Sequence, residues 1–243
     1  CPQDATDLVE LYGADRRRLR VVKMRGKAFR GGYHDYLLRS GGLEVFPRIV
    51  AAESRHQSSR AKLSGAIPAL DQLLRGGIER GTSTLIIGAA GTGKSTLAAQ
   101  FVAAAAARGE RAALFIFDES TSTLLTRTAE LGIELGRYVE EGLVDIHQVD
   151  PAELSPGQLA HELRRAVEED RVSIVVIDSL NGYLYSMPED RFLTIHLHEL
   201  LTYLSQRAVA TFLIMAQHGL VGQMETKLEV SYLNDAVLLL RYF

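Results

Sequence analysis

A glycine-framed Lys-Ser pair carries the strongest chemical signal in the chain. Residues 88–95 read Gly88-Ala89-Ala90-Gly91-Thr92-Gly93-Lys94-Ser95 and match the spacing G-x-x-x-x-G-K-[ST]. Glycines at 88, 91 and 93 let a backbone curl until its N–H groups point at an anion, and a helix opening at about Ser95 adds the positive end of its dipole. Lys94 then reaches the outer phosphates of a nucleoside triphosphate, and the Ser95 hydroxyl offers a hard oxygen to Mg²⁺. Thr92 and Thr96 complete the set of candidate nucleotide-binding residues. A chance Gly-rich turn would lack the Lys-Ser pair between a strand and a helix. The stretch predicts nucleoside triphosphate binding.

Three apolar runs end in polar residues that could face such a ligand. Asp178 follows Ile174–Ile177 and suits the role of holding Mg²⁺, with Glu119 as a second metal candidate. Asp118 and Glu119 follow Phe117 and are candidates for orienting the attacking water or taking its proton. One of the two is expected to cap the helix that starts around Ser120-Thr121-Ser122. Gln217, after Ala210–Ala216, is a candidate contact for the γ-phosphate. His196 and His198 read as surface positions on a helix, and His56 as a solvated linker residue.

The elements that must position these groups alternate from Leu63 onward. Leu85–Ile87, Ala112–Phe117, Leu143–Gln148, Val172–Ile177, Ala210–Ala216 and Ala236–Tyr242 read as buried strands. Between them fall helical patterns: Ile67–Leu74 opened by Pro68, about Ser95–Arg108, a segment around Leu124, Leu125 and Leu131, Pro156 to about Asp170, and Arg191–Arg207. The last places Ile195, Leu197, Leu200, Leu201 and Leu204 on or near one face. Buried strands separated by helices predict an α/β domain with a mostly parallel sheet covered on both faces. Ligands of such sheets collect at the carboxyl ends of the strands.

Residues 1–50 look different. Leu8–Tyr12 and Leu19–Met24 read as strands joined by a charged turn, and Phe29–Leu38 and Leu43–Ile49 as further extended pieces punctuated by Gly31-Gly32 and Gly41-Gly42. This β-rich arm is too small to bury a core alone. Residues 51–62 read as a linker and 63–243 as the main domain, without its own closing strands. Charge follows the same division. Residues 1–62 carry 13 Lys/Arg against 7 Asp/Glu, and 63–243 carry 14 against 23. A basic arm beside an acidic body suits nucleic acid or the acidic body of a neighbouring subunit. The single Cys rules out a disulfide framework or a Cys-built zinc site and fits a reducing cytoplasm. No apolar run of membrane-spanning length occurs.

Taken together, Leu63–Ser95, Phe115–Ser120 (FIFDES) and Val175–Tyr183 (VVIDSLNGY) resemble the RecA-like P-loop ATPases, and within them the KaiC family. The resemblance covers nearly the whole chain. It implies a hexameric ATPase of two tandem domains with ATP between subunits, self-phosphorylation in some members, and clock or signalling partners. Thr6–Leu11 also resembles Asn234–Leu239 at an offset of 228 residues, about one such domain, so the arm resembles the closing strands of a preceding domain. The family's Lys-x-Arg-Gly motif then falls on Lys23-Met24-Arg25-Gly26, which implies that Lys23 and Arg25 face a neighbour's γ-phosphate and stabilise charge during transfer.

Two departures from the family pattern matter. The usual Glu-Glu pair is Asp118-Glu119 here, and the first side chain is shorter by about 1.5 Å of reach, which predicts slow turnover. The clock members' tandem Ser-Thr phosphorylation site falls on Ser231-Tyr232, leaving Ser231 as the candidate acceptor. Two other readings stay open: a DNA-dependent RecA-like motor, supported by the basic arm, and an ATP-binding scaffold that does not hydrolyse. Against the motor, residues 218–234 hold Lys227 as their only Lys or Arg.

Overall fold

The computed structural model describes residues 16–51, 61–185, 190–216 and 231–242. The arm contributes β1 (Arg17–Leu19), β2 (His34–Arg39) and β3 (Gly42–Phe46), an antiparallel sheet in that order. The strand expected over Leu19–Met24 stops at Leu19, and the one expected from Phe29 starts only at His34. Gly31-Gly32 lie between, and Gly32 takes φ 91, a left-handed conformation that interrupts pairing. Leu8–Tyr12 and most of the expected linker, His56 included, lie outside the described residues.

In the body, β4 (Lys62–Leu63) and β5 (Ile78–Glu79) pair around α1 (Pro68–Leu73). There follow β6 (Ser83–Gly88), α2 (Lys94–Ala106), β7 (Ala112–Ile116), α3 (Thr121–Glu130), α4 (Leu135–Glu140) and β8 (Val144–Gln148). The chain continues through α5 (Pro156–Glu168), β9 (Ile174–Asp178), α6 (Leu180–Tyr185), α7 (Asp190–Gln206), β10 (Ala210–Ala216), a 3₁₀ turn (Ser231–Leu233) and β11 (Ala236–Leu240). Strands β6 to β11 form one sheet in the order β11-β6-β10-β9-β7-β8, and every pair in it is parallel. This is the RecA-like α/β P-loop fold.

The period of two along each strand sorts the core. Leu85, Phe115, Val175, Ile177, Leu213 and Met215 face α5, α6 and α7, with Tyr183, Leu163, Leu200 and Leu204 packed on them. Ile86, Leu114, Ile116, Val176, Phe212 and Ile214 face α2, α3 and α4. The Ala-rich α2 can therefore lie close to the sheet, where Phe101 and Phe212 meet with ring centroids 5.0 Å apart. Helix α5 starts as its sequence dictates: Ser155 and Gln158 form a reciprocal capping box, with Pro156 in the first turn. On α7, Leu197, Leu200, Leu201 and Leu204 are buried as expected, but Ile195 is exposed.

The arm does not extend the six-stranded sheet. It packs across the helices on one face of its own chain. Asp35 accepts the Gly157 N–H at the start of α5 (2.8 Å), Phe46 meets His161 edge-on at 5.4 Å, Ile49 joins the core, and the Ala51 N–H donates to Glu199 on α7 (2.9 Å). Gly157 permits this seat, because a Cβ there would lie 2.6 Å from the Asp35 carboxylate. Among the described residues no helix is long and apolar enough to cross a membrane.

Candidate active site

Parallel strands bring the carboxyl ends of β6, β7, β9 and β10 to one edge, and a cavity of about 530 Å³ opens there. That lies within the roughly 300–1,000 Å³ of small-ligand sites. Its lining includes Gly91, Gly93, Lys94, Ser95, Thr96, Asp118, Glu119, Arg127, Asp178 and Ser179. The sequence-predicted loop and acids therefore meet.

The loop from Ala89 to Gly93 is shaped by backbone geometry. Gly91 (φ 77) and Gly93 (φ 88) are left-handed, and Gly93 is the N-cap of α2, so the helix starts at Lys94, one residue before the expected Ser95. Gly88 and Thr92 shape the loop without lining the cavity. A Cβ on Gly88 would lie 2.3 Å from the Leu240 carbonyl oxygen, so β11 fixes the loop's entry. The Thr92 hydroxyl donates to Ala89 O at 2.9 Å. Lys94 is buried and folds back to donate to Ala89 O at 2.7 Å. Burial lowers its pKa, with the Asp178 carboxylate acting in the opposite sense.

Across the cavity three carboxylates crowd together. Burial pushes the Asp178 carboxyl up to about 6, helped by the charges of Glu119 and Asp118 and opposed by the Ser95 hydroxyl and Arg127. Ser179 donates its hydroxyl to Asp118. Arg127 donates to Glu119 at 2.6 Å and to Thr96 at 3.0 Å. These donors suit Mg²⁺, which takes oxygen ligands, one or two of them protein carboxylates with substrate phosphates supplying others. Among the described residues no three His, Cys, Asp or Glu converge into an all-protein metal cage. Ser95 and Asp178 are the residues that would hold the ion.

Several expectations need correction. Neither Asp118 nor Glu119 caps α3; Ser120 does, accepting the Thr123 N–H at 3.1 Å. His196 is not a surface residue. Its Nδ1 sits 2.5 Å from the Tyr183 hydroxyl, and burial pulls its pKa down to about 4. His198 is exposed as expected. Lys23 and Arg25 are exposed on the arm and do not line this chain's cavity. Gln217 lies outside the described residues. Ser231 is exposed in the turn before β11, whose amino end pairs with the start of β6. It thus sits at the edge of the sheet opposite the loop, about 20 Å away along six residues of strand.

Sequence reasoning placed Ser179 with Asp178 at a polar strand end but gave it no role, and it missed Arg127. Arg127 was detectable. It lies between Leu124 and Thr128, the two buried positions of α3, so helical spacing turns it towards the body.

A family model described as "ATPase: KaiC" matches residues 63–242. The chain belongs to the KaiC ATPase family. The circadian clock protein KaiC2 of Synechocystis sp. (strain ATCC 27184 / PCC 6803 / Kazusa) is 30% identical over 90% of this chain and 39% of its own length. The circadian clock oscillator proteins KaiC of Acaryochloris marina (27%; 96% of this chain, 44% of the relative) and Prochlorococcus marinus (28%; 93% and 45%) are similar to it as well. The chain spans less than half the length of these curated relatives. The phosphate loop, Asp118-Glu119 and Asp178 fall within the KaiC match, while the arm precedes it.

Proposed function

We propose that this chain binds Mg-ATP and hydrolyses it slowly, at an interface between copies of the longer protein to which it belongs. The observation that carries this reading is the convergence of Lys94, Ser95, Asp178 and the Asp118-Glu119 pair on one cavity. Lys94 binds the outer phosphates, Ser95 and Asp178 hold the metal ion, and the metal ion neutralises phosphate charge. Asp118 orients the attacking water, with the short reach of an Asp and a Ser179 hydroxyl already occupying it. Both features favour slow turnover.

Residues 1–50 resemble the closing strands of a KaiC domain, and their Lys23 and Arg25 serve the Lys94 pocket of a neighbouring copy. Their exposure on the arm, outside their own chain's cavity, supports this. The same geometry supports Ser231 as a phosphate acceptor only from a neighbour's nucleotide. The names of the relatives favour a role in clock-like regulation, and a signalling role, a protein partner and a cytoplasmic location complete the reading.

Mixing two inactive variants tests the interface. Lys94→Ala has no working pocket but keeps its arm, and Arg25→Ala keeps its pocket but lacks the finger. Each alone should release phosphate at least ~100-fold more slowly than the wild type. Their mixture should recover activity above the sum of the two, and mass spectrometry should find any added phosphate on Ser231. A mixture no faster than that sum contradicts a shared site.

A further inference from the structure

Two cations line the cavity among the described residues, Lys94 and Arg127. The phosphate loop accounts for the first. Arg127 comes from α3, seven residues beyond the Ser120 cap, and its guanidinium spans acceptors on two other elements. One terminal nitrogen donates to Thr96 Oγ1 at 3.0 Å, in the first turn of α2. The other donates to Glu119 Oε1 at 2.6 Å, just beyond β7. A planar fork with fixed donors suits this bridge, where a Lys ammonium would offer only a point charge.

The bridge separates the two acids of the pair. Glu119 receives a charge-assisted bond, which fixes its orientation. Asp118 receives only a neutral hydroxyl, from Ser179. The side chains of Arg127 and Glu119 are 33% and 22% exposed, so solvent screens the pair less than it would on an open surface. Thr96 lies two residues after Lys94, so the bridge also ties the acid-bearing strand end to the helix that carries the phosphate-binding lysine.

We propose that Arg127 is a positioning residue that clamps Glu119 to Thr96, leaving Asp118 as the acid that orients water. The proposal rests on the ATPase reading above and assigns the roles within it. Arg127 acts through Glu119 and does not touch the nucleotide.

A double-mutant cycle on the full chain tests it: Arg127→Ala, Glu119→Gln and the pair, with Asp118→Asn alongside. Two readouts are taken, phosphate release (kcat and KM) and binding of the fluorescent analogue mant-ADP titrated with Mg²⁺. Arg127→Ala should lower kcat about tenfold with little change in KM, and shift the Mg²⁺ midpoint of mant-ADP binding several-fold. Glu119→Gln should do much the same. The double variant should lose no more than the worse single, because both break one link. Arg127→Lys should recover the loss only in part. Asp118→Asn should cost at least tenfold more than Glu119→Gln. If Arg127→Ala melts below the assay temperature, Arg127→Gln replaces it.

Losses that multiply in the double variant would show Arg127 acting on the nucleotide directly and overturn the clamp. Glu119→Gln as inactive as Lys94→Ala would overturn it too, by making Glu119 the base. A wild type no faster than Lys94→Ala fails the ATPase reading instead. The clamp is then judged on the Mg²⁺ midpoints alone, where independent shifts overturn it and coupled shifts support it.

Discussion

The nucleotide end of the sheet and the seat of the arm are both polar patches at the rim of the same core, yet they are built on opposite terms. At the seat, Asp35, Glu199 and His196 find counterparts within the chain, and among the described residues His161 Nδ1 is a buried exception. Asp35 takes the Gly157 N–H and Arg18, Glu199 takes the Ala51 N–H, and His196 stays neutral beside the Tyr183 hydroxyl. At the nucleotide end, burial pushes the Asp178 carboxyl up to about 6, with the charges of Glu119 and Asp118 adding to it. Arg127 pairs with Glu119, while Asp178 keeps no ion pair at hydrogen-bond distance among the described residues. The difference separates a joint from a site: the seat is largely satisfied by folding, whereas the nucleotide end keeps Asp178 buried at the rim of an open cavity.

The largest effect that sharpens this contrast belongs to Asp178→Asn. Turnover should fall at least ~100-fold, because the metal loses its strand-end carboxylate. Apo stability should move the other way. A carboxyl raised from 3.8 to about 6 contributes stability that is fully present below the ordinary pKa and lost as pH rises through the folded one. Well above pH 6, Asp178→Asn should therefore be more stable than the wild type by about 3 kcal/mol, and the gap should close near pH 4. Denaturant melts across that range measure it, and a pH-independent gap would dissolve the contrast.

Smaller effects belong to the arm. His196, depressed from 6.5 to about 4, contributes stability that is present above its ordinary pKa and lost as pH falls towards the folded value. Acidification from pH 7 to 4 should thus lower the amide protection factors at Ala51 and Gly157, with exchange referred to its intrinsic rate at each pH, while the Asp178 penalty disappears. Asp35→Asn removes the negative charge at the start of α5 and should weaken the seat by about 1 kcal/mol, read as faster exchange at Gly157. Protection at Gly157 unchanged by either perturbation would mean that something else holds the arm.

Much of this was legible in residue order. Short apolar runs with polar ends gave the six strands, and Gly88–Ser95 located the cavity, because strand, loop and helix are local events with strong signatures. Pro156 marked the start of α5 in the same local way. What escaped depended on distant cover. His196 sits on a helix flank that looks solvated until Tyr183 and the arm, far away in the sequence, close over it. Leu19–Met24 alternates like a strand, but pairing ends at Leu19 because the partner segment is broken at Gly31-Gly32. Ser179's bond to Asp118 joins two strand ends 61 residues apart and has no local trace. The acid pair's place after an apolar run put both carboxylates at the cavity, but capping fell to Ser120, whose hydroxyl accepts the Thr123 N–H.

The most direct test of the central claim, that the nucleotide end carries negative charge which the ligand's metal completes, is a thermal melt with nucleotide. ATP with Mg²⁺ should raise the melting temperature of the wild type markedly, ATP with EDTA much less, and Asp178→Asn should lose most of the Mg²⁺-dependent part. Equal stabilisation by ATP with and without Mg²⁺, in both proteins, would contradict the account.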